Sequence, residues 1–270
     1  MPFVRCVMNG KFGIELECLK YSGLDDRIVL EKIKNAGFDA VFSNKYKISE
    51  IEYIKNEAEK LGIEVEFLHA PFRGINDFWC EGDGYLNLKN NIYTSIDSAS
   101  EFNIPIVIMH VDSGWNPPKI CDIGLERFDR LVEYADNKGV KIAFENIRNF
   151  GTLSAMMQRY RLLDNVGYCY DCGHEHCYTE TVHFTELFGD RILCTHIHDN
   201  VGKDGRDDPD DHLMMFDGNI DYADMMKRLN GVGYNGSLTV ELEKNDRYRH
   251  MTDDEYIKTA YERIVRISKL

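Results

Sequence analysis

Residues 137–146 read Asn-Lys-Gly-Val-Lys-Ile-Ala-Phe-Glu-Asn and contain, in ten positions, the pattern from which the architecture follows. Gly139 is the residue type that ends a helix in the left-handed conformation. The apolar run after it is typical of a buried strand, and that run ends on Glu145. A helix stop, a strand and a polar strand end are the parts of a βα unit. Recurrence of this pattern would indicate a parallel sheet.

The pattern recurs along the whole chain. Glycine-containing helix stops precede strand-like runs at 35–38, 60–63 and 230–234. Helix-like segments between the strands carry apolar stripes at three- and four-residue spacing, as at Ile51, Ile54 and Ala58. The eight predicted strands are 12–18, 38–43, 64–69, 105–110, 140–145, 166–171, 192–198 and 237–243. Eight βα units in 270 residues predict a (β/α)8 TIM barrel as a single domain over 1–270, since such barrels run to about 250 residues.

Segments outside the regular units also have an expected place. Residues 1–10 precede the first unit, and we expect an extra strand or a plug at the barrel bottom. Longer insertions follow strand three, at 71–84, and strand seven, at 199–220. In a barrel both insertions would lie at the carboxyl-terminal face, where active sites are built from βα loops.

Charge and composition exclude several classes of partner. The formal net charge of −14 repels a phosphate backbone, so we expect no nucleic-acid partner. No apolar run approaches the roughly 20 residues that span a bilayer, and the N-terminus lacks the order of a secretion signal. The eight cysteines are scattered, several of them inside apolar runs, which favours reduced buried thiols over disulfides. We therefore expect a soluble cytoplasmic protein.

Residues of the metal-ligating types fall at or near the ends of six predicted strands. A closed barrel brings these strand ends to one mouth, so residues far apart in sequence become one cluster. Several buried carboxylates and imidazoles at one place are costly without a compensating cation. A divalent metal is the simplest account, and mixed oxygen and imidazole ligands suit Mn, Co, Mg or Zn. The six residues are His69, His110, Glu145, Asp171, His196 and Glu241.

Further ligands for a metal or a substrate lie close to these strand ends. His174 follows Asp171 in a D-x-x-H spacing, and Asp210 and His212 lie in the long insertion after strand seven. His198 shares the inward side of strand seven with His196, because side chains alternate along a strand. It is a candidate for orienting His196 or contacting substrate.

Five motifs resemble the sugar phosphate isomerase/epimerase family, the xylose isomerase-like TIM barrels that also include endonuclease IV. The resemblance covers nearly the whole chain. Its most specific parts are HAP at 69–71, FEN at 144–146, DCGH at 171–174, HIHDN at 196–200 and DDHLMMFDGNID at 210–221.

The resemblance implies roles for particular residues. Glu145, Asp171, His196 and Glu241 would hold a divalent metal, Glu145 and Glu241 would also act as acid and base, and His174 would meet the substrate. The implied activity is isomerisation or epimerisation of a sugar or sugar-like polyol by proton transfer. The family also includes lyases and dehydratases on the same metal core. Barrels of this type commonly pair, so a homo-oligomer is expected.

An alternative function comes from the endonuclease IV branch, which holds three zinc ions. Its larger ligand set is matched here by nine residues, so a multinuclear zinc phosphoesterase stays open. The acidity of the chain argues against DNA as the substrate. The loop at 214–219 departs from the usual Pro-Gly-x-Gly pattern, which leaves the sugar and its phosphorylation open. The nine residues are His69, His110, Glu145, Asp171, His174, His196, Asp210, His212 and Glu241.

Overall fold

Eight short parallel strands form one sheet in the computed structural model of the protein, which describes residues 10–179 and 181–270. From β1 to β7 each strand pairs with the next along the chain, and β1 also pairs with β8. The strands are β1 (Phe12–Glu15), β2 (Ala40–Ser43), β3 (Glu64–His69), β4 (Ile106–Met109), β5 (Lys141–Glu145), β6 (Val166–Asp171), β7 (Ile192–His196) and β8 (Leu238–Val240).

The sheet closes on itself between β7 and β8. The Ile197 N–H donates to the Thr239 carbonyl at 2.8 Å, and the Glu241 N–H donates to the Ile197 carbonyl at 3.1 Å. Ile197 thus bridges to Val240 in the parallel sense immediately after the last residue of β7. The predicted (β/α)8 TIM barrel is confirmed.

Helices cover the outside of the barrel and bury the stripes that the sequence predicted. Ile51, Ile54 and Ala58 of α2 are fully buried. Gly37 and Gly62, at the ends of the first two helices, have φ of 115° and 64°, the left-handed conformation that ends a helix at least cost in a glycine. The helices are α1 (Asp26–Ala36), α2 (Ile48–Leu61), α3 (Leu86–Glu101), α4 (Asp122–Asn137), α5 (Phe150–Arg159), α6 (Phe184–Phe188), α7 (Tyr222–Gly231) and α8 (Asp253–Ile267).

Shorter helical segments fill several connections. One of these begins directly after β6, at Cys172–His174, and continues as one wider π-helical turn over Glu175–Thr179. The 3₁₀ segments are Leu16–Ser22, Ile75–Trp79, Gly189–Arg191 and Asp246–Tyr248.

Some predicted strand ends are wrong. The first strand was expected to run to residue 18 but ends at Glu15, and Leu16–Ser22 forms a 3₁₀ helix instead. Leu16 and Cys18 are buried in either conformation, so their apolar character could not locate the strand end. The expected extra strand or plug at 1–10 lies, except for residue 10, outside the described residues. A single domain reaching to residue 1 therefore stays a prediction.

A small apolar layer inside the barrel supports the carboxyl-terminal mouth from below. Cys169 and Cys194 belong to it, and all seven cysteines in the described part of the chain are free. The buried members of the layer are Phe42, Phe67, Ile108, Ala143, Cys169 and Cys194.

No helix among residues 10–179 and 181–270 is long and apolar enough to span a membrane. Cytoplasmic location and homo-oligomeric assembly stay predictions.

Candidate metal centre

Four of the predicted ligands meet at the mouth of the barrel. Glu145, Asp171 and His196 are the last residues of β5, β6 and β7, and Glu241 directly follows β8. One ligand atom from each of the four residues lies within 4.8 Å of the others. The sheet therefore brings together the four residues that were predicted from the strand ends, although they are spread over nearly a hundred positions of the sequence.

His196 is the centre of this first ligand set. Its Nδ1 lies 2.9 Å from Glu145 Oε1 and 3.2 Å from Glu241 Oε2. Its ring stacks on Phe42 of the inner layer, with 4.7 Å between ring centroids. Asp171 is held from the other side, because His198 Nε2 lies 3.1 Å from Asp171 Oδ1. Packing below and hydrogen bonds around the ring fix the orientation of the set.

A second ligand set shares Glu145 with the first. His69 Nε2 and His110 Nε2 lie 3.1 Å and 2.8 Å from Glu145 Oε2, the carboxylate oxygen that His196 does not contact. His69 is the last residue of β3 and His110 directly follows β4, at the strand ends to which the sequence analysis assigned them. Phe72 stacks on the His110 ring at 4.0 Å and lines the cavity.

A third ligand set is formed by His174, His198, Asp210 and His212. Asp210 Oδ2 lies 3.0 Å from both His174 Nε2 and His212 Nε2. His212 has a φ of 42°, a conformation that costs a non-glycine residue on the order of 1–3 kcal/mol and is concentrated at functional sites. His198 stacks face to face on His212 at 4.1 Å. His198 therefore lies at the barrel mouth together with His174, Asp210 and His212.

The surroundings of Glu145 and Glu241 favour the ionised form of each carboxylate. Burial alone would raise the pKa of Glu145, but the charge of His196 and hydrogen bonds from His110 and His196 hold it well below its usual range. Burial likewise opposes ionisation of Glu241, whose pKa is lowered by the neighbouring His196 and His212.

The imidazoles of His196 and His174 supply compensating positive charge. Burial would lower the pKa of His196, yet the surrounding carboxylates, Glu241 foremost, raise it well above its usual value. Burial also opposes the charged form of His174, but Asp171 and Asp210 raise its pKa to about 10. The carboxylates thus create a strong negative potential that protons on the imidazoles now balance. A divalent cation would balance the same potential and would displace those protons.

Unpartnered atoms test whether these residues fit a metal. Within the described part of the chain, Glu241 Oε2 and Asp210 Oδ1, which face histidines of the first and third ligand sets, are buried without a hydrogen-bond partner. Buried polar atoms are almost always paired, and an unpaired one calls for an unseen ligand or ion. Together with the mixed carboxylate and imidazole donors, these atoms fit a divalent cation.

The ligand sets open into a cavity of about 660 Å³ at the barrel mouth. Its walls include residues of both predicted insertions, among them Phe72 from the first and Asp208 from the second. Trp79 does not reach the cavity, because it is buried under a loop with its Nε1–H donating to the Val111 carbonyl at 2.8 Å. Trp115 is 41% exposed on the rim.

Sequence reasoning missed Glu15, which is buried at the end of β1 and lines the same cavity. The Asn44 side-chain amide donates to Glu15 Oε1 at 2.6 Å. Burial, with the nearby charges of Glu241 and Glu17, raises the pKa of Glu15 well above its usual value. The rule that found the other ligands would have found Glu15, but the first strand was predicted to continue past it.

A family model matches the chain over residues 30–265, which is most of the barrel. The protein belongs to the xylose isomerase-like TIM barrel family. The resemblance stated from the sequence motifs is confirmed at this level.

Similar proteins include uncharacterised ones and a named isomerase. A protein of unknown function from Methanocaldococcus jannaschii is 26% identical, with 98% of this chain and 96% of the relative aligned. The inosose isomerase of Halalkalibacterium halodurans is 26% identical over 68% of this chain and 69% of its own length. A D-tagatose 3-epimerase-like structure has 25% identity and a TM-score of 0.68, covering 96% of this chain and all of its own. The zinc-containing IOLI structure, at 19% identity, has a TM-score of 0.77 with 96% and 98% covered and supports the fold.

Proposed function

We propose that the protein is a divalent-metal-dependent isomerase or epimerase of a sugar or sugar-like polyol. The observation that carries this proposal is the convergence of Glu145, Asp171, His196 and Glu241, with Glu241 Oε2 buried and unpartnered, beside a cavity that Glu145 and Glu241 line. Family membership and similarity to an inosose isomerase and to a D-tagatose 3-epimerase-like protein support the same class.

The proposed chemistry divides between the cation and the chain. A divalent cation bound by the four residues would polarise a carbonyl and acidify the adjacent C–H. Glu145 and Glu241 both line the cavity, and both are kept ionised by neighbouring imidazoles, so each can accept a proton from a substrate carbon. His196 holds both carboxylates in place through one nitrogen.

Solvent deuterium tests the proposed proton transfer. Metal-loaded protein is incubated in D₂O with a panel of ketoses and keto-polyols, and NMR follows C–H to C–D exchange and new products. We expect exchange in the wild type and its loss, by at least about a hundredfold, in Glu145→Gln and Glu241→Gln, because each loses a group typical of general acid–base catalysis. Glu64→Gln, an exposed carboxylate at the start of β3, is the matched control that retains exchange.

The result also separates isomerases from lyases. A lyase or dehydratase removes the same proton but then expels a neighbouring group, so its product loses water or a fragment. Exchange retained in both glutamine variants would rule out the acid–base assignment.

A multinuclear zinc phosphoesterase is the second candidate, favoured by the two further ligand sets that adjoin the first. Glu145 belongs to the first and second sets and lies between His196 and the pair His69 and His110. Metal ions held by these sets would stabilise the attacking and leaving oxygens of a phosphoester. Metal content by plasma mass spectrometry distinguishes the candidates: about one Mn, Co or Mg per chain favours proton transfer. Two or three Zn, with hydrolysis of a model phosphodiester and no deuterium exchange, would replace our proposal.

A further inference from the structure

Arg148 lies three residues after Glu145 in the sequence, and both residues line the cavity. Its side chain is only 18% exposed. The guanidinium carbon lies 4.2 Å from the centroid of the Tyr178 ring and 5.7 Å from that of Trp115. Stacking on aromatic rings fixes the plane of a guanidinium and leaves its edge N–H groups for a planar or tetrahedral oxyanion.

The acceptor that Arg148 now holds is a carboxylate of the protein itself. Arg148 Nη2 donates to Asp208 Oδ1 at 2.6 Å, and the Tyr178 hydroxyl donates to the same oxygen at 2.8 Å. Trp115 Nε1–H donates to the neighbouring Asp207 carbonyl at 2.6 Å. Asp208 is 67% exposed, so its half of the ion pair is solvated and the pair contributes little to stability.

The segment that carries Asp208 lies on the surface between two anchored ends, and Arg206 within it pairs with Asp211. Residues 203–208 are all exposed, and Gly202 and Gly205 on either side of Lys203 have positive φ. On one side the loop is held by Asp199, a buried carboxylate that accepts backbone N–H groups. On the other side Asp210 is held by histidines of the third ligand set.

We propose that Arg148 recognises an oxyanion of the substrate, a phosphate or a carboxylate, and that Asp208 occupies this position until the substrate displaces it. Arg148 then fixes the charged end of the substrate while the ligand sets deeper in the cavity face its reacting end. This inference deepens the proposed function and rests on it for the cavity being the substrate site, but its test needs no turnover.

A substrate oxyanion has two advantages over Asp208. A phosphate or carboxylate can accept two parallel N–H groups from one guanidinium, whereas Asp208 takes one. The cavity wall also includes Arg73, an exposed cation beside Phe72. Displacement releases the Tyr178 hydroxyl and the Asp207–Trp115 contact, so binding and movement of the exposed segment are coupled.

Trp115 provides a local readout of this displacement. The chain has two tryptophans, and Trp79 is buried away from the cavity. Metal-loaded protein is titrated with inorganic phosphate and, separately, with acetate, and tryptophan emission is recorded. We expect a saturable change in the wild type that disappears in Trp115→Phe.

Variants of the pair test the roles of Arg148 and Asp208 in opposite directions. Arg148→Met should weaken the Trp115-reported affinity at least about tenfold, while Asp208→Asn should tighten it several-fold because the internal competitor loses its charge. Arg249→Met, which removes an exposed positive charge outside this cavity, is the control with unchanged affinity. Phosphate bound elsewhere, for example at a metal, persists in Arg148→Met and is subtracted.

Each outcome separates this inference from the proposed function. Tighter binding of phosphate than acetate identifies a sugar phosphate, and the reverse identifies a sugar acid; both support the inference. Equal affinity in wild type and Arg148→Met, or no tightening in Asp208→Asn, overturns it even if deuterium exchange with neutral sugars is observed. Loss of exchange with every sugar, with Arg148-dependent anion binding intact, overturns only the proposed function.

Discussion

Glu145 is the residue on which the candidate centre depends most. One of its carboxylate oxygens faces His196 and the other faces His69 and His110, so it takes part in two ligand sets at once. His174 has the corresponding place on the far side, where it adjoins both Asp171 and Asp210. Removal of bound metal therefore leaves charges that only protons on the imidazoles balance.

The raised pKa of His174 predicts a pH-dependent stability of the metal-free protein. Its folded pKa is about 10 against an ordinary value of 6.5, so the folded state holds a proton that the unfolded chain releases above pH 6.5. This stabilisation is fully present below pH 6.5 and is lost as the pH rises toward 10, with a slope of up to about 1.4 kcal/mol per pH unit.

Denaturant unfolding of chelator-treated protein between pH 6 and 10 measures this slope. His174→Asn should reduce the slope by its contribution, while His250→Asn, an exposed histidine after β8, should not change it. The same slope in wild type and His174→Asn would contradict the prediction.

The residue types at strand ends were sufficient to predict the cluster, because a barrel converts strand position into proximity. Glu145, Asp171, His196 and Glu241 were predicted as one cluster and lie together. The Arg148–Asp208 contact had no comparable signal, since it depends on the conformation of a long loop.

Among the connecting elements, the loop between β7 and α7 shapes the cavity. Asp199 Oδ1 accepts the N–H of Asn200 at 2.9 Å and of Ile220 at 3.2 Å, and its Oδ2 accepts the N–H of Phe216 at 2.8 Å. The two ends of the loop are thus tied together by one buried carboxylate. Gly218 packs against this anchor with no room for a side chain.

Gly218→Ala should therefore loosen the loop. A Cβ at this position would lie 2.2 Å from the Asn200 carbonyl oxygen and 2.3 Å from Asp199 Oδ1, which forces a backbone shift. We expect a loss of about 1–3 kcal/mol in the free energy of unfolding and faster hydrogen exchange across 199–220. Gly231→Ala, at the end of α7 with no atom within 4 Å of the added Cβ, should be neutral or stabilising. Equal stability of the two variants would contradict the steric argument.

The ends of elements were predicted well where a glycine marks them. They were predicted poorly where the residues on both sides of the end are buried. Glycine stops located the ends of α1 and α2, because those positions require positive φ. The end of β1 was missed because Leu16 and Cys18 are buried whether the backbone is extended or helical. Periodicity reports which side chains are covered, not which backbone conformation covers them.

For the whole molecule, bound metal should be a large contribution to stability. The chain carries a net charge of −14 and concentrates several ionised carboxylates at one buried place. A ligand that binds only the folded state stabilises it by about 2.7 kcal/mol at a concentration one hundred times its Kd.

Chelation should lower the Tm by several degrees, and adding back Mn, Co, Mg or Zn should restore it in a concentration-dependent way. Differential scanning calorimetry gives both values. Asp171→Asn should show a smaller response to chelator, and Asp136→Asn, an exposed surface change, should respond as the wild type does. A Tm unaffected by chelator and by every added metal would argue against a resident cation.

The bridge at Ile197 has a consequence for biosynthesis. The residue that closes the barrel lies between His196 and His198, and its partner strand leads directly into Glu241. On the ribosome, Glu145, Asp171 and His196 are synthesised before β8. Until β8 is in place, these three residues lack Glu241 and the closed sheet that holds them together. The complete four-residue set, and with it the cation site that we propose, therefore forms only when β8 joins the barrel.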